Sequence, residues 1–587
     1  MRPNRSMTRM TCAVAIATAW IAGARDGAAQ QISEARIREL IKQAAEQAAV
    51  SQQAPAAPTT QTPATTRPTV RLTLDDAVKL ALDRNLDIAV QQLNPQINDI
   101  AIASIRAAYR PALTSLLATQ SQTNPSTSVI SGAAAGAGVN TALTTFNGGV
   151  AQNLPWGGGN FNLGLTNTKT TTTNATSLFN PAFNSVWVGQ YTQPLLRGFR
   201  IDSTRQQLVV SRINRDISDV QLRATITNTL SNVRNAYWDY VFAVQSVDVA
   251  QQSLDLANQL VRDNQTRVEV GTMAPIDVVQ AQSQAATAQQ NLVQAAAARQ
   301  TAELALKRLI VSGTQDPNWS AALDPIDRPE FVAQPVDIEA AVRRALSERT
   351  DLDIARKDLQ INDVTLRFLR DQTLPQTDFV AQYGYVGLGG TQLEFAPGQA
   401  FGGTRIVTRT IPGGYADALS SLFGGQFPRW TAQLNISVPL GQSTAQAAVA
   451  RARVQLNQVQ AQIKQLELQV ATDVTNAAVA VTNNAQAVQA AQAARELAQK
   501  QLEAEQSKFE VGMSTNYNVV LAQRDLATAK NTELGNIRNY RKSLVELERL
   551  QQTTLSNLGI TVLSTGGLNT TAVGSGRPTV VAGGGGS

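Results

Sequence analysis

Histidine is missing altogether from this chain, and Cys12 is its only cysteine. The first absence removes the side chain that exchanges protons near neutral pH and the commonest metal ligand. The second removes disulfides and thiolate clusters. The sequence also lacks a nucleophile motif, a phosphate-binding loop and a group of metal ligands. No catalytic residue, metal site or cofactor is assigned, and an enzyme is not expected. Carboxylates are scattered along helical stretches, and pairs such as Asp75 and Asp76 read as helix starts.

Aromatic residues are 5% of the chain, and with Ala and Gln abundant this suits thin helical walls better than a thick globular core. Formal charge is 50 − 44 = +6, too weak and too dispersed to point to nucleic acid. Past the N-terminal segment there is no run of about 18 apolar residues, so no transmembrane helix is expected and any membrane crossing must use strands. Gly and Pro are absent from residues 201–270 and 442–511, 70 residues each. A helix of that length reaches about 105 Å.

What is present is a repeat. Both Gly- and Pro-free runs end in the same stretch: RVEVGTMAPIDVVQAQ at 267–282 and KFEVGMSTNYNVVLAQ at 508–523, with Gly271 and Gly512 offset by 241 residues. Each glycine is a natural left-handed helix stop, and Pro275 suits the first turn of a new helix. Each copy therefore predicts the tip of a long helical hairpin. Met273 and Met513, the only methionines outside the first 29 residues, both lie at these tips, where flexible thioethers suit an adaptable partner surface.

Residues 1–29 combine Arg2, Arg5 and Arg9 with an apolar run from Cys12 to Ala22 and small residues to Ala29, the order of a secretory signal. Residues 30–70 read as an amphipathic helix followed by a Pro- and Thr-rich linker. The first repeat is assigned to 71–312, with a helix at 71–110, strands within 112–195 and a helical hairpin at 200–312. A Pro-rich connection follows at 313–335. The second repeat covers 336–558, with a helix at 336–374, strands within 376–438 and a hairpin at 442–557. A Gly- and Thr-rich tail at 559–587 is read as disordered. Thr73, and Asp337 or the residue before it, are the expected N-caps of the two opening helices.

Pro111, Pro194, Pro375 and Pro439 mark expected switches between helix and strand, since Pro ends a helix and sits at a strand's first or edge position. Between the last pair, Trp430, Ala432, Leu434, Ile436 and Val438 alternate with Thr431, Gln433, Asn435 and Ser437. That period, apolar on one side and polar on the other, fits a transmembrane β-barrel strand. Leu113 to Gln122 and Val186 to Gln193 take the corresponding places in the first copy. An added hairpin around LPWGGGN, within 146–171, either joins the wall or folds outside it. Stretches 123–145 and 387–428 read as exposed loops.

The order of signal, duplicated helix, strand pair and long hairpin, the PLLRG (194–198) and VPL (438–440) strand exits, and the VGT (270–272) and VGM (511–513) tips resemble the TolC family of outer-membrane efflux proteins. The resemblance implies a mixed α/β membrane protein with an internal duplication. Three protomers would close an outer-membrane β-barrel of four strands each, continued by a long α-helical coiled-coil barrel in the periplasm. It further implies an exit duct for a tripartite efflux pump or type I secretion system, working with a periplasmic adaptor and an inner-membrane transporter. By position, Val270, Gly271, Thr272, Val511, Gly512 and Met513 would dock the adaptor. Asp277 matches the family's aspartate in the first tip, but Asn518 and Leu521 stand where the family has two acidic gate residues. A coiled-coil structural protein that forms no channel is the alternative, and it leaves the two-faced strands unexplained.

Overall fold

The computed structural model describes residues 68–127, 133, 137–328, 331–398, 406–441, 443–562 and 581–582. The expected signal, and the amphipathic helix and linker up to residue 67, lie outside the described residues.

The described chain opens with strand β1 (Thr69–Leu72) and helix α1 (Leu74–Arg84). Thr73 caps α1 through its side-chain oxygen, which accepts from the Asp76 amide, and Asp75 and Asp76 occupy the first turn. The single helix expected at 71–110 is instead three: α1, α2 (Leu86–Gln91) and α3 (Leu93–Ala107). Asn85 makes the first break. It ends α1 in an extended conformation while its side chain accepts from the Asp87 and Ile88 amides to start α2.

Four long strands follow, β2 (Ala112–Pro125), β3 (Gly138–Asn153), β4 (Asn160–Thr172) and β5 (Phe179–Pro194). Helix α4 (Ser203–Glu269) then runs 67 residues to the first tip and α5 (Pro275–Ile310) returns. The expected connection at 313–335 carries a short turn of helix, α6 (Pro317–Ser320), and a strand, β6 (Ala322–Pro325), which pairs in parallel with β1.

The second half has α7 (Ile338–Glu348) and α8 (Thr350–Asp371), separated at Arg349, where one helix was expected over 336–374. Then come β7 (Gln376–Phe395), β8 (Val407–Ile411), α9 (Tyr415–Phe423), β9 (Pro428–Ser437), α10 (Thr444–Glu510) and α11 (Asn516–Leu550). A short helix α12 (Thr554–Asn557) leads to β10 (Ile560–Thr561), which pairs with β11 (Val581–Ala582). The start of the expected disordered tail is thus ordered, with Ile560 buried in the core.

The four-strand expectation is corrected by the sheet. Its order is β2-β3-β4-β5-β7, with both β8 and β9 paired to β7. β8 lies beside the far end of β7 and β9 beside its near end, so together they fill one position and the sheet has six positions across. The expected loops at 123–145 and 387–428 contain parts of β2, β3 and β7 together with β8 and α9. Their Gly and Thr content masked the strands. Gly387 and Gly389 lie under α9, where an added Cβ would come within 2.0 Å of the Ala418 carbonyl and 2.5 Å of its amide nitrogen.

The core sits at the middle of the helices. Leu72, Ile226, Leu230, Val233, Leu306 and Ile310 are buried around the β1–β6 pair. Tyr237 donates to the Leu72 carbonyl at 3.1 Å and to the Asp327 carboxylate at 2.8 Å. A second cluster around Leu352, Val470, Val474 and Tyr540 serves the second half, and Tyr540 donates to the Val332 carbonyl at 2.9 Å. Among the described residues no helix is long and apolar enough to cross a membrane.

Candidate docking and gating site at the helical tips

The two tips have the same backbone. Gly271 has φ +78° and Gly512 φ +79°. The Gly271 amide donates to Val268 and the Thr272 amide to Arg267, just as Gly512 donates to Phe509 and Met513 to Lys508. This pair of bonds is the Schellman stop of a helix, and it requires the left-handed residue that glycine supplies without steric cost. Pro275 then opens α5 at its first turn, and Thr515 precedes α11.

The tips pack against each other inside one chain. Leu260, Ala281, Phe509 and Val519 are buried together, with Met273 half-buried beside them. The Arg267 guanidinium lies 4.5 Å from the centre of the Phe509 ring and also donates to the Phe509 carbonyl at 3.2 Å. Deeper in, Asn264 is completely buried. Its amide donates to Asn516 Oδ1 at 2.9 Å, and the Asn516 amide donates to the Asp277 carbonyl at 3.2 Å. This amide bridge was not singled out by the sequence, because neither asparagine lies at a repeated position.

The face left open is apolar. Val270, Val511 and Met513 are 67, 70 and 80% exposed, and Ile276 and Tyr517 stand out beside them. The expected docking residues are therefore at the surface. Glu505 accepts from Lys508 at 2.8 Å and from the Ser514 hydroxyl at 2.7 Å. These two bonds hold its carboxyl below the usual range. Of the expected gate residues, Asp277 and Leu521 are half-buried and Asn518 is exposed. Asn518 donates to the Ser514 hydroxyl at 3.3 Å, whereas Asp277 joins the bridge through its backbone carbonyl rather than its carboxylate.

At the opposite end of the long helices lie the proline switches. Pro111 and Pro375 immediately precede β2 and β7, Pro194 is the last residue of β5, and Pro439 follows β9 by two residues. The PLLRG stretch turns at Gly198, φ +84°, whose amide donates to the Asp371 carboxylate at 2.6 Å. Arg197 donates to Gln372 at 2.7 Å, and Arg205 returns to the Gly198 carbonyl at 2.6 Å. The exit of β5 is thereby fixed to the end of α8. Among the described residues no group of three or more carboxylate or cysteine side chains could hold a metal ion.

The family profile described as outer membrane efflux protein matches residues 160–311 and 341–551, together more than half of the chain. Curated protein sequences give no match. Among solved structures the chain is similar to the CmeC outer membrane channel of Campylobacter jejuni. That match has a TM-score of 0.56 at 14% identity and covers 81% of this chain and 85% of that one. It is also similar to the outer membrane protein VceC of Vibrio cholerae, with a TM-score of 0.55 at 14% identity, covering 81 and 95%. The open state of the MtrE outer membrane channel of Neisseria gonorrhoeae aligns with a TM-score of 0.55 at 15% identity, covering 81 and 88%. With the duplicated helical hairpins, the proline switches and the sheet between them, these matches show that the chain belongs to the outer-membrane efflux protein family and has the TolC-type fold.

Proposed function

We propose that the protein is the outer-membrane exit duct of a tripartite efflux pump or type I secretion system, a passive channel built from three copies. The observation that carries this reading is the sheet. One side bears Leu113, Phe161, Trp187, Tyr383, Trp430 and Leu434. The other bears glutamines, threonines and asparagines, as a wall between lipid and water requires. Its outer strands β2 and β9 have one unpaired edge each, which lipid does not tolerate, so closure by further copies is required.

The helices lead the water-filled side on through the periplasm to the paired tips. The exposed Val270, Val511 and Met513 dock the adaptor there, with Gly271, Thr272 and Gly512 setting the turn. Asp277, Asn518 and Leu521 line the constriction, which closes by apolar and amide contacts in place of an acidic ring. The inner-membrane transporter supplies energy and substrate choice, and this chain performs no chemistry.

Planar bilayers test the proposal. Purified trimers give discrete conductance steps, and Gly512→Pro and Asp277→Ala change the open fraction. A protein that stays soluble without detergent and conducts nothing sinks the duct and favours a coiled-coil structural role.

A further inference from the structure

The hairpin β3–β4 lies between β2 and β5, and its pairing is unbroken on both sides. β2 and β3 are in register from Ala112 opposite Ala151 to Pro125 opposite Gly138. β3 and β4 are in register from Asn153 opposite Asn160 to Thr141 opposite Thr172. β4 and β5 are in register from Asn160 opposite Thr192 to Thr170 opposite Ala182. Residues opposite each other share a face. One row therefore crosses the whole sheet as Leu113, Val150, Leu163, Gly189, Tyr383 and Trp430, on the apolar side. A row on the other side reads Ala112, Ala151, Asn162, Gln190, Gln382 and Thr431, with Gln382 donating to Gln190 at 2.8 Å. The added hairpin thus has the same two-faced chemistry as its neighbours, in the same phase.

Its turn is also built into the rim. An added Cβ at Gly158, φ +68°, would come within 2.5 Å of the Gly198 carbonyl, and Gln193 donates to the Gly157 carbonyl at 2.7 Å. The lower end of β3 is tied to α3 by Gln152 and Asn153, which donate to the carbonyls of Tyr109 and Ala108 at 3.2 Å each. The family profile starts at Asn160, the first residue of β4, so β2 and β3 lie ahead of it.

We infer that β3 and β4 are permanent wall strands, and that the edge of β2 in one copy pairs with the edge of β9 in the next. Six positions is an even number, so β2 and β9 run in opposite directions and the joint between copies is antiparallel like the joints within them. Three copies of six positions close an eighteen-stranded barrel where four-strand protomers would close twelve. Barrel diameter grows roughly linearly with strand number, and barrels of about 16 to 18 strands leave an open aqueous channel. The lumen is then about 1.5 times wider than a twelve-stranded one. Over β2 to β5 its lining carries no charged side chain. β3 and β4 accordingly widen the passage without adding charge to it, the lining charges Asp378 and Arg429 standing on β7 and β9.

This inference rests on the trimeric duct proposed above. The test uses the full chain carrying Cys12→Ser, which leaves no native cysteine to interfere. Trimers in planar bilayers receive polyethylene glycols of graded size on the barrel side, and a variant lacking residues 138–172 serves as the narrow reference. Expected is a cut-off radius about 1.5-fold larger for the native trimer, and a fall in current when Thr168→Cys reacts with a charged, water-soluble thiol reagent. A fluorophore on Leu165→Cys is quenched by brominated lipid. Equal cut-offs, or a Thr168→Cys label without effect on current and a Leu165→Cys probe untouched by lipid, overturn the inference. Should the shortened variant not assemble, the two cysteine readouts decide alone. A particle that is not a trimer, or one that never conducts, overturns the duct itself and the eighteen-strand count with it.

Discussion

At the scale of the residue, the tip is held by an amide bridge and not by charge. Asn264, buried between α4 and α11, donates to Asn516, which donates to the Asp277 carbonyl. Asn264→Ala leaves the buried Asn516 Oδ1 without its donor, at a cost of about 1 to 3 kcal/mol. The expected result is faster amide exchange over 264–281 and 505–523, with the middle of the helices unchanged. The buried tyrosines make a second prediction. Burial first, and then the Glu303 carboxylate, push the Tyr240 hydroxyl up to about 12. Burial and the bond to Asp327 raise Tyr237 as well. Since the folded state keeps these protons longer than the unfolded chain, their contribution is complete below pH about 10 and is lost as pH rises through about 12. Alkaline titration followed by tyrosinate absorbance and circular dichroism should show both groups ionising together with unfolding. Early ionisation in a fully folded protein would refute this. Neither bridge nor tyrosine was readable in advance, because burial decides both and burial is a property of neighbours far along the chain.

At the scale of the element, sequence was a good guide wherever a period or a punctuation residue acts locally. The two Gly- and Pro-free runs are α4 and α10, 67 residues each, and the glycines at 271 and 512 turn both. It was a poor guide where Gly and Thr fill strands. β3 and the far half of β7 read as loops because their glycines answer to packing: Gly387 and Gly389 make room for α9, whose Tyr415 meets Phe183 edge to face at 6.3 Å. Gly387→Val therefore expels α9 from the sheet. A protease site placed in 412–414 becomes cut in the variant and resists in the native protein, while the long helices keep their melting temperature. The breaks at Asn85 and Arg349 were missed for a different reason. A side chain that caps one helix and ends another carries no period of its own.

At the scale of the whole molecule, the outer helices repeat the problem of the sheet edges. α4 and α11 pack in the middle of the wall and α5 and α10 flank them. α5 leaves Ile276, Val293 and Leu304 exposed, and α10 leaves Val454, Leu468 and Leu497, each between 52 and 70%. Exposed apolar rows on opposite flanks fit a ring in which α5 of one copy meets α10 of the next. Leu468→Asp removes about 2 kcal/mol of burial at each joint and adds a charge to it. The proposed trimer should dissociate at lower temperature on native gels, and unchanged dissociation would place the joint elsewhere. The sequence by itself determined the duplication, the lengths of the two longest helices, the two turns and the alternation of the strands it identified, because each follows from spacing along one chain. Only the tertiary structure decided that β3 and β4 stand in the sheet and that β8 and β9 share one position. It alone seated α9 on Gly387 and joined the tips through Asn264. Each of those depends on which distant segments come into register, and local spacing does not encode that.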